Sequence, residues 1–225
     1  MSSNKLVVSA TALSTLPVFQ GLDIGQLEEI AVHAGMRRVA RGVTVVQAGE
    51  TTDNVYFILN GSMKVLICDA DGREVIFTII GQGAVFGEMG MLDAAPRSAS
   101  VVAAVPTDLV VFSQADFLKI LKNHFDVCLR VMGNMAKRLR EADRKIESLA
   151  LMDVYGRVAR LLLDLAETTD GKSVIRKKIS KQDIAKMIGA SREMVSRVMK
   201  DLIARGLIEE AAHGQLVVQD RIISL

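Results

Sequence analysis

The residues best suited to chemistry lie in one glycine-rich segment, residues 81–102, with the sequence GQGAVFGEMGMLDAAPRSASVV. It holds an acid directly after a glycine, Glu88, and one Arg97-Ser98 pair between runs typical of β-strands. Glycines let a backbone approach an anion closely, and the donors of an arginine match phosphate oxygens. A carboxylate instead accepts hydrogen bonds, for example from a ribose 2′-OH. The pattern indicates a sugar-phosphate site, although a glycine-rich turn beside a surface ion pair also fits it.

A resemblance to a known module favours the first interpretation. The runs FGEM at residues 86–89 and PRSA at residues 96–99 resemble the phosphate-binding cassette of cyclic-nucleotide-binding domains. The resemblance implies that Glu88 binds the ribose 2′-OH and that Arg97 binds the cyclic phosphate. It also implies that Gly87 and Ser98 add contacts to that phosphate and that Met89 lines the ligand site.

Composition limits the other kinds of chemistry. The chain has 225 residues, of which half are apolar and 24% charged, as is usual for a globular protein of one or two domains. It contains two lone cysteines, no long apolar run and no recognisable leader, which predicts a mature cytoplasmic protein without membrane contact. The three histidines have no metal-ligand spacing, and no nucleophile–base pair is evident. We therefore predict no enzyme, no metal and no cofactor.

The elements that must position the cassette are β-strands. Between about residue 36 and residue 113, short runs of β-branched residues alternate with turn sequences such as Asn60-Gly61 and Asp71-Gly72. Turns at this spacing predict an antiparallel β-barrel or jelly roll within an α+β protein. We assign residues 1–122 to this domain, with a packing helix near Asp23–Ala34.

A long helix with an apolar seam is predicted for residues 123–150. Its apolar positions are spaced alternately by four and three residues, which is the heptad pattern of paired helices. Packing on the barrel of the same chain is one explanation, and a parallel pair at a homodimer axis is the one that we favour. The seam comprises Cys128, Met132, Met135, Leu139, Ala142, Ile146 and Leu149.

Residues 151–225 form the last predicted domain. A helix over Leu151–Glu167 and a polar turn over Thr168–Lys172 precede two short helices, at Ser180–Ile188 and Ser191–Arg205, joined by a turn with glycine. A two-stranded wing follows, over residues 206–210 and 213–218. Residues 172–205 are rich in lysine and arginine. A basic two-helix pattern followed by a wing predicts a winged helix-turn-helix that binds double-stranded DNA. The predicted contacts are Ser180, Lys181, Gln182, Ser191, Arg192, Glu193, Ser196, Arg197 and Lys200.

Two further runs make the resemblance extend over nearly the whole chain. The run GASREMVSRV at residues 189–198 and the run MDVYGRVA at residues 152–159 are similar to regulators of the CRP/FNR superfamily. The resemblance implies that Arg192, Glu193 and Arg197 read a TGTGA-like half-site. It also implies a homodimer on an inverted repeat, with RNA polymerase as a further partner.

The chain departs from the cyclic AMP receptors of that superfamily at the ligand's base. Where those receptors place a threonine and a serine of the long helix against adenine, this chain has Ala142 and Asp143. Cyclic AMP stays the first choice of effector, cyclic di-GMP is the main alternative and cyclic GMP the third. A ligand-free regulator and a nucleotide-binding module that acts through protein partners are also open.

Overall fold

The computed structural model of the chain describes residues 8–51, 53–169, 172–176, 179–211 and 215–223. The fold comprises two compact units, of which the first ends at Ala136 and the second begins at Lys137. This boundary lies inside one long helix. The division into residues 1–122, 123–150 and 151–225 therefore stays a prediction.

The first unit contains two antiparallel sheets of four strands each, in the orders β1-β8-β3-β6 and β2-β7-β4-β5. This arrangement confirms the predicted α+β class and the jelly roll. The strands are β1 (Gly35–Val39), β2 (Thr44–Val46), β3 (Asn54–Asn60), β4 (Ser62–Cys68), β5 (Glu74–Gly81), β6 (Val85–Phe86), β7 (Ser100–Ala103) and β8 (Thr107–Ser113).

The turn at Gly61 joins β3 of the first sheet to β4 of the second, so Asn60-Gly61 ends a strand as its turn sequence predicts but does not form a hairpin. Gly61 has a φ of +101°, which L-residues with a side chain rarely adopt. A Cβ atom there would lie 2.5 Å from Oγ1 of Thr107, so only glycine fits.

Four buried phenylalanines fill the space beneath the first sheet in tilted and edge-on pairs. They are Phe19, Phe57, Phe112 and Phe117.

The helices of the first unit are short except for the last. They are α1 (Ala10–Ser14), α2 (Ile24–Ala31), α3 (Met89–Asp93), α4 (Gln114–Asn123) and the start of α5 (Phe125–Leu151). Asp23 and Gln26 form a capping box at the start of α2, which is the packing helix predicted from the sequence. Helix α5 is buried on one side, where Val127 and Val131 join the core of the jelly roll.

The second unit is built on three helices and one sheet. Its helices are α6 (Val154–Leu165), α7 (Lys181–Ile188) and α8 (Arg192–Ala204). Its strands are β9 (Glu167–Thr169), β10 (Lys172–Ile175), β11 (Ile208–Glu210) and β12 (Leu216–Val218), paired in the order β11-β12-β10-β9. The buried faces of all three helices meet in one apolar core.

Two predictions for this unit are wrong in detail. The helix predicted from Leu151 begins at Val154, because Leu151 ends α5 and the Asp153 carboxylate caps α6 by accepting from the Gly156 amide at 2.8 Å. The polar turn predicted at Thr168 is instead the end of strand β9, which pairs with β10. The wing strands β11 and β12 pair as predicted, and the predicted turn residues 170–171 and residues 212–214 lie outside the described residues.

Candidate nucleotide and DNA sites

The cassette, residues 86–99, leaves the first sheet at the end of β6 and enters the second sheet at β7. Gly87 makes the turn at a φ of +85°, and a Cβ atom there would lie 3.0 Å from the Asn54 carbonyl oxygen. Helix α3 follows at once, and Ala94 ends it in the left-handed conformation. The segment between Glu88 and Arg97 thus folds back so that the Arg97 guanidinium lies against Gly87, the residue that precedes Glu88.

Glu88 and Arg97 are both buried, with 1% and 6% of their surfaces exposed. Nη2 of Arg97 donates to the Asn54 carbonyl at 2.7 Å, and Nη1 donates to the Gly87 carbonyl. The backbone around Arg97 is also tied to the neighbouring loop, since its amide donates to the Glu50 carbonyl at 2.9 Å. Because charged groups are seldom buried without a role or a partner, this pair is the strongest candidate for a ligand site in the first unit.

The other predicted ligand residues differ in exposure. Met89 and Ser98 are exposed on the cassette, and Gly87 is half-buried beneath the Arg97 guanidinium. Ala142 and Asp143 are exposed on the part of α5 that belongs to the second unit. The structure thus brings Arg97 against Gly87, next to the buried Glu88.

Two backbone amides and one arginine side chain stabilise the turn between α7 and α8. Gly189 ends α7 at a φ of +64°, where it and Ala190 both donate to the Ala185 carbonyl. Nη1 of Arg157, on α6, donates to the Ile188 carbonyl at 2.8 Å. A guanidinium at a helix C-terminus satisfies a carbonyl that lacks a helical partner and complements the helix dipole. The sequence alone did not indicate this role of Arg157.

Serine caps begin both helices, as predicted. Oγ of Ser180 accepts from the Asp183 amide at 3.0 Å, and Oγ of Ser191 accepts from the Met194 amide at 3.2 Å. These caps fix the residues at which α7 and α8 begin. Ser191 is itself exposed, at the start of α8.

One face of α8 carries the predicted DNA-reading side chains. Ser196 is half-buried, whereas the remaining predicted contacts of both helices are exposed: Ser180, Lys181, Gln182, Ser191, Arg192, Glu193, Arg197 and Lys200. The opposite face is buried in the core of the unit, which holds the helix in place. Arginine and lysine donors beside a glutamate acceptor suit the base edges and phosphates of the major groove.

The far end of α8 is anchored to the start of α6. Nε of Arg205 lies 2.8 Å from Oδ2 of Asp201, and its guanidinium lies 5.7 Å from the centroid of the Tyr155 ring. Burial raises the pKa of the Tyr155 phenol, as does its hydrogen bond with Asp201. This cluster links the end of α8 to α6, and Arg157 links the end of α7 to the same helix.

The seam of α5 is largely open to solvent in the single chain. Leu139 and Ile146 are 64% and 66% exposed, and Met132 and Leu149 are also exposed. Cys128 is half-buried, and half-buried Met135 packs against the core of the jelly roll, so Met135 serves that core as well as the predicted seam. An apolar row of this length on one chain is typical of a helix that pairs with another copy.

Among the described residues, no group of acidic, histidine and cysteine side chains has the geometry of a metal site. Within the same residues, no helix is both long enough and apolar enough to cross a membrane.

Comparison with known families accounts for both sites. Residues 36–124 match the family described as the cyclic nucleotide-binding domain, and residues 156–221 match the Crp-like helix-turn-helix domain. The first match contains the whole cassette, and the second contains α7, α8 and the wing strands.

Relatives match over most of their length. The cAMP-activated global transcriptional regulator Vfr of Pseudomonas aeruginosa is 37% identical over 202 residues, which cover 87% of this chain and 94% of that protein. The cAMP-activated global transcriptional regulator CRP of Pasteurella multocida is 34% identical, over 85% of this chain and 93% of that protein. The solved structure of the c-di-GMP responsive global regulator CLP of Xanthomonas campestris is 27% identical, with a TM-score of 0.70 over 88% of this chain and 99% of that chain.

Proposed function

Since this chain belongs to the CRP/FNR superfamily of DNA-binding transcription regulators, we propose that it is a homodimer whose affinity for inverted-repeat operators is controlled by cyclic AMP. Its relatives are regulators rather than enzymes, and its own domains are a cyclic-nucleotide-binding domain and a helix-turn-helix. The finer proposals concern the effector, the assembly and the direction of control.

The buried Glu88–Arg97 pair is the observation that carries the proposal. In a cyclic mononucleotide, the phosphate needs a cation and the ribose 2′-OH needs an acceptor, and the cassette supplies one of each. The carbonyls of Gly87 and Asn54 hold the guanidinium in position before any ligand arrives, which lowers the entropy lost on binding. The two cAMP-activated relatives, at 37% and 34% identity, support cyclic AMP as the effector and activation as the outcome.

The exposed seam of α5 supports the homodimer. Pairing the seam with its copy removes Leu139, Ile146 and Leu149 from water and relates the two α8 helices by a two-fold axis. Two recognition helices so related fit half-sites one helical turn apart. On such an operator the dimer recruits RNA polymerase, which we propose as its further partner.

Cyclic di-GMP is the second candidate effector. Ala142 has no hydroxyl for an adenine, and the Asp143 carboxylate accepts hydrogen bonds of the kind that guanine N1 and N2 donate. The similarity to CLP, a c-di-GMP responsive regulator, favours the same alternative. Its 27% identity is lower than that of the two cAMP-activated relatives.

Calorimetric titration distinguishes these effectors. The purified protein is titrated with cyclic AMP, cyclic GMP and cyclic di-GMP, and each titration is repeated on Arg97→Ala and on Arg73→Ala, which removes an exposed arginine of the β4–β5 hairpin. We expect cyclic AMP to bind wild type and Arg73→Ala alike and to lose about 100-fold or more in affinity for Arg97→Ala, because a buried charge-assisted contact is removed. Binding of cyclic di-GMP alone, unaffected by Arg97→Ala, would contradict the cyclic AMP assignment and leave the DNA-binding function intact.

A further inference from the structure

Met194 is an apolar side chain on a surface that is otherwise polar. It is the third residue of α8 and is 43% exposed, whereas the other three methionines of the second unit, Met152, Met187 and Met199, are half-buried or buried. Its amide is engaged by the Ser191 cap, so the position of its Cα is fixed at the surface. A single exposed methionine is unremarkable by itself, and its place on the helix is what carries the inference.

Helix geometry puts Met194 inside the DNA-reading face. The residues that define the buried side of α8 are Val195, Met199 and Leu202. At 3.6 residues per turn, the middle of the opposite face falls between Glu193 and Arg197. Met194 lies about 75° from that middle line, whereas Arg192 lies about 125° from it on the other side. Met194 is therefore nearer the centre of the face than a residue already assigned to base contact.

The chemistry of Met194 complements that of its neighbours. Arg192, Glu193 and Arg197 all form hydrogen bonds, and together they suit guanine and cytosine edges. Thymine differs from the other bases by a C5-methyl group in the major groove, which needs an apolar contact. An unbranched thioether side chain reaches and adapts to such a group better than a branched one. The N-terminal residues of a recognition helix are also those that meet base edges.

We propose that Met194 is a specificity-determining residue that reads the C5-methyl group of one thymine in each half-site. The proposal rests on the proposed function, since it requires α8 to enter the major groove. The proposal places a thymine at a half-site position that Arg192, Glu193 and Arg197 do not contact.

Deoxyuridine substitution tests the proposal, because it removes only the methyl group. An operator is first selected by the wild-type protein from random duplexes, and each thymine of its half-sites is then replaced in turn by deoxyuridine, symmetrically in both halves. Wild type, Met194→Ala and Ile203→Ala are compared by fluorescence anisotropy. Ile203 is a second exposed apolar residue of α8, two turns farther from its N-terminus.

We expect one thymine at which deoxyuridine lowers wild-type affinity roughly fourfold per methyl group, or roughly 15-fold for both half-sites. At that position Met194→Ala loses nothing further, and Ile203→Ala behaves as wild type. Equal deoxyuridine penalties in wild type and Met194→Ala at every thymine would overturn the inference alone. Failure of wild type to select any sequence would overturn the proposed function together with it.

Discussion

The two candidate sites present their charged side chains in opposite ways. On α8 the arginines and lysine are exposed, and the scaffold beneath them is apolar and capped. In the cassette the functional arginine is buried, and backbone carbonyls hold its guanidinium. The exposed face of α8 suits a large, rigid polyanion such as DNA, whereas the buried arginine of the cassette suits the small anion that we propose for it.

The difference follows from the size of the ligand. A DNA duplex brings its own charge and shape to the surface, so flexible exposed side chains suffice provided that the helix carrying them is fixed. A small anion makes few contacts, so each contact must contribute more binding free energy. This requires hydrogen-bond donors that are shielded from water and already oriented before binding. The cassette therefore depends on backbone geometry at Gly87, whereas the helix-turn-helix depends on Arg157 at the end of α7 and on Arg205 at the end of α8.

The largest effect that separates the two sites is expected for Arg197→Ala. Loss of a bidentate base contact costs about 1–3 kcal/mol per half-site, and so about 2–6 kcal/mol for a dimer on two half-sites. We expect operator affinity to fall accordingly in anisotropy titrations, while affinity for random duplex falls much less and calorimetric affinity for cyclic AMP is unchanged.

Lys181→Ala is the matched control for that substitution. Lys181 is exposed at the start of α7, where it suits a phosphate rather than a base. It should weaken operator and random duplex by the same factor, and it should reduce the dependence of affinity on salt. An Arg197→Ala variant with the same profile would show that Arg197 binds only phosphate.

An intermediate effect is expected for Glu88→Gln in the cassette. The amide still accepts a hydrogen bond, but without charge assistance, so affinity for cyclic AMP should fall about tenfold. Affinity for 2′-deoxy cyclic AMP should be nearly the same in wild type and variant, since that ligand lacks the hydroxyl. Calorimetry on both ligands measures the interaction free energy between Glu88 and the 2′-OH. An equal loss of affinity for the two ligands would mean that Glu88 does not act at the 2′-OH.

The smallest effect is expected for Ser191→Ala. Loss of the N-cap should lower the free energy of unfolding of the second unit by about 1 kcal/mol, as measured by urea denaturation. Operator affinity should fall slightly and nucleotide affinity should not change. Ser191→Asp restores a capping oxygen and is the control; if it is as unstable as Ser191→Ala, the hydroxyl has another structural role.

Turn chemistry made most of the fold predictable. Asp71-Gly72 marks the β4–β5 hairpin by local conformation alone, and Asn60-Gly61 marks the end of β3, although that turn leads into the other sheet. Ser180 and Ser191 mark helix starts in the same way. The errors lie where tertiary pairing decides the outcome. Thr168 and Lys172 are polar residues of a turn sequence, but they become strand residues because β10 also pairs with β12.

The site was predictable in residue type and less so in environment. Glu88 and Arg97 stood out as isolated charges among glycines, yet nothing in their spacing indicates that Arg97 is buried against the Asn54 carbonyl, which comes from a strand 43 positions earlier. Arg157 was missed for the same reason, since its partner is a carbonyl 31 positions away. Contacts to backbone oxygens leave no mark in a sequence.

The most direct test of the central claim measures whether the two sites are coupled. Operator affinity is titrated by fluorescence anisotropy for wild type and Arg97→Ala, each without nucleotide and with saturating cyclic AMP. We expect cyclic AMP to raise wild-type affinity about 5- to 150-fold, the usual range of allosteric coupling, and to leave Arg97→Ala unchanged. Equal wild-type affinity with and without nucleotide, under conditions where calorimetry shows cyclic AMP bound, would contradict the account.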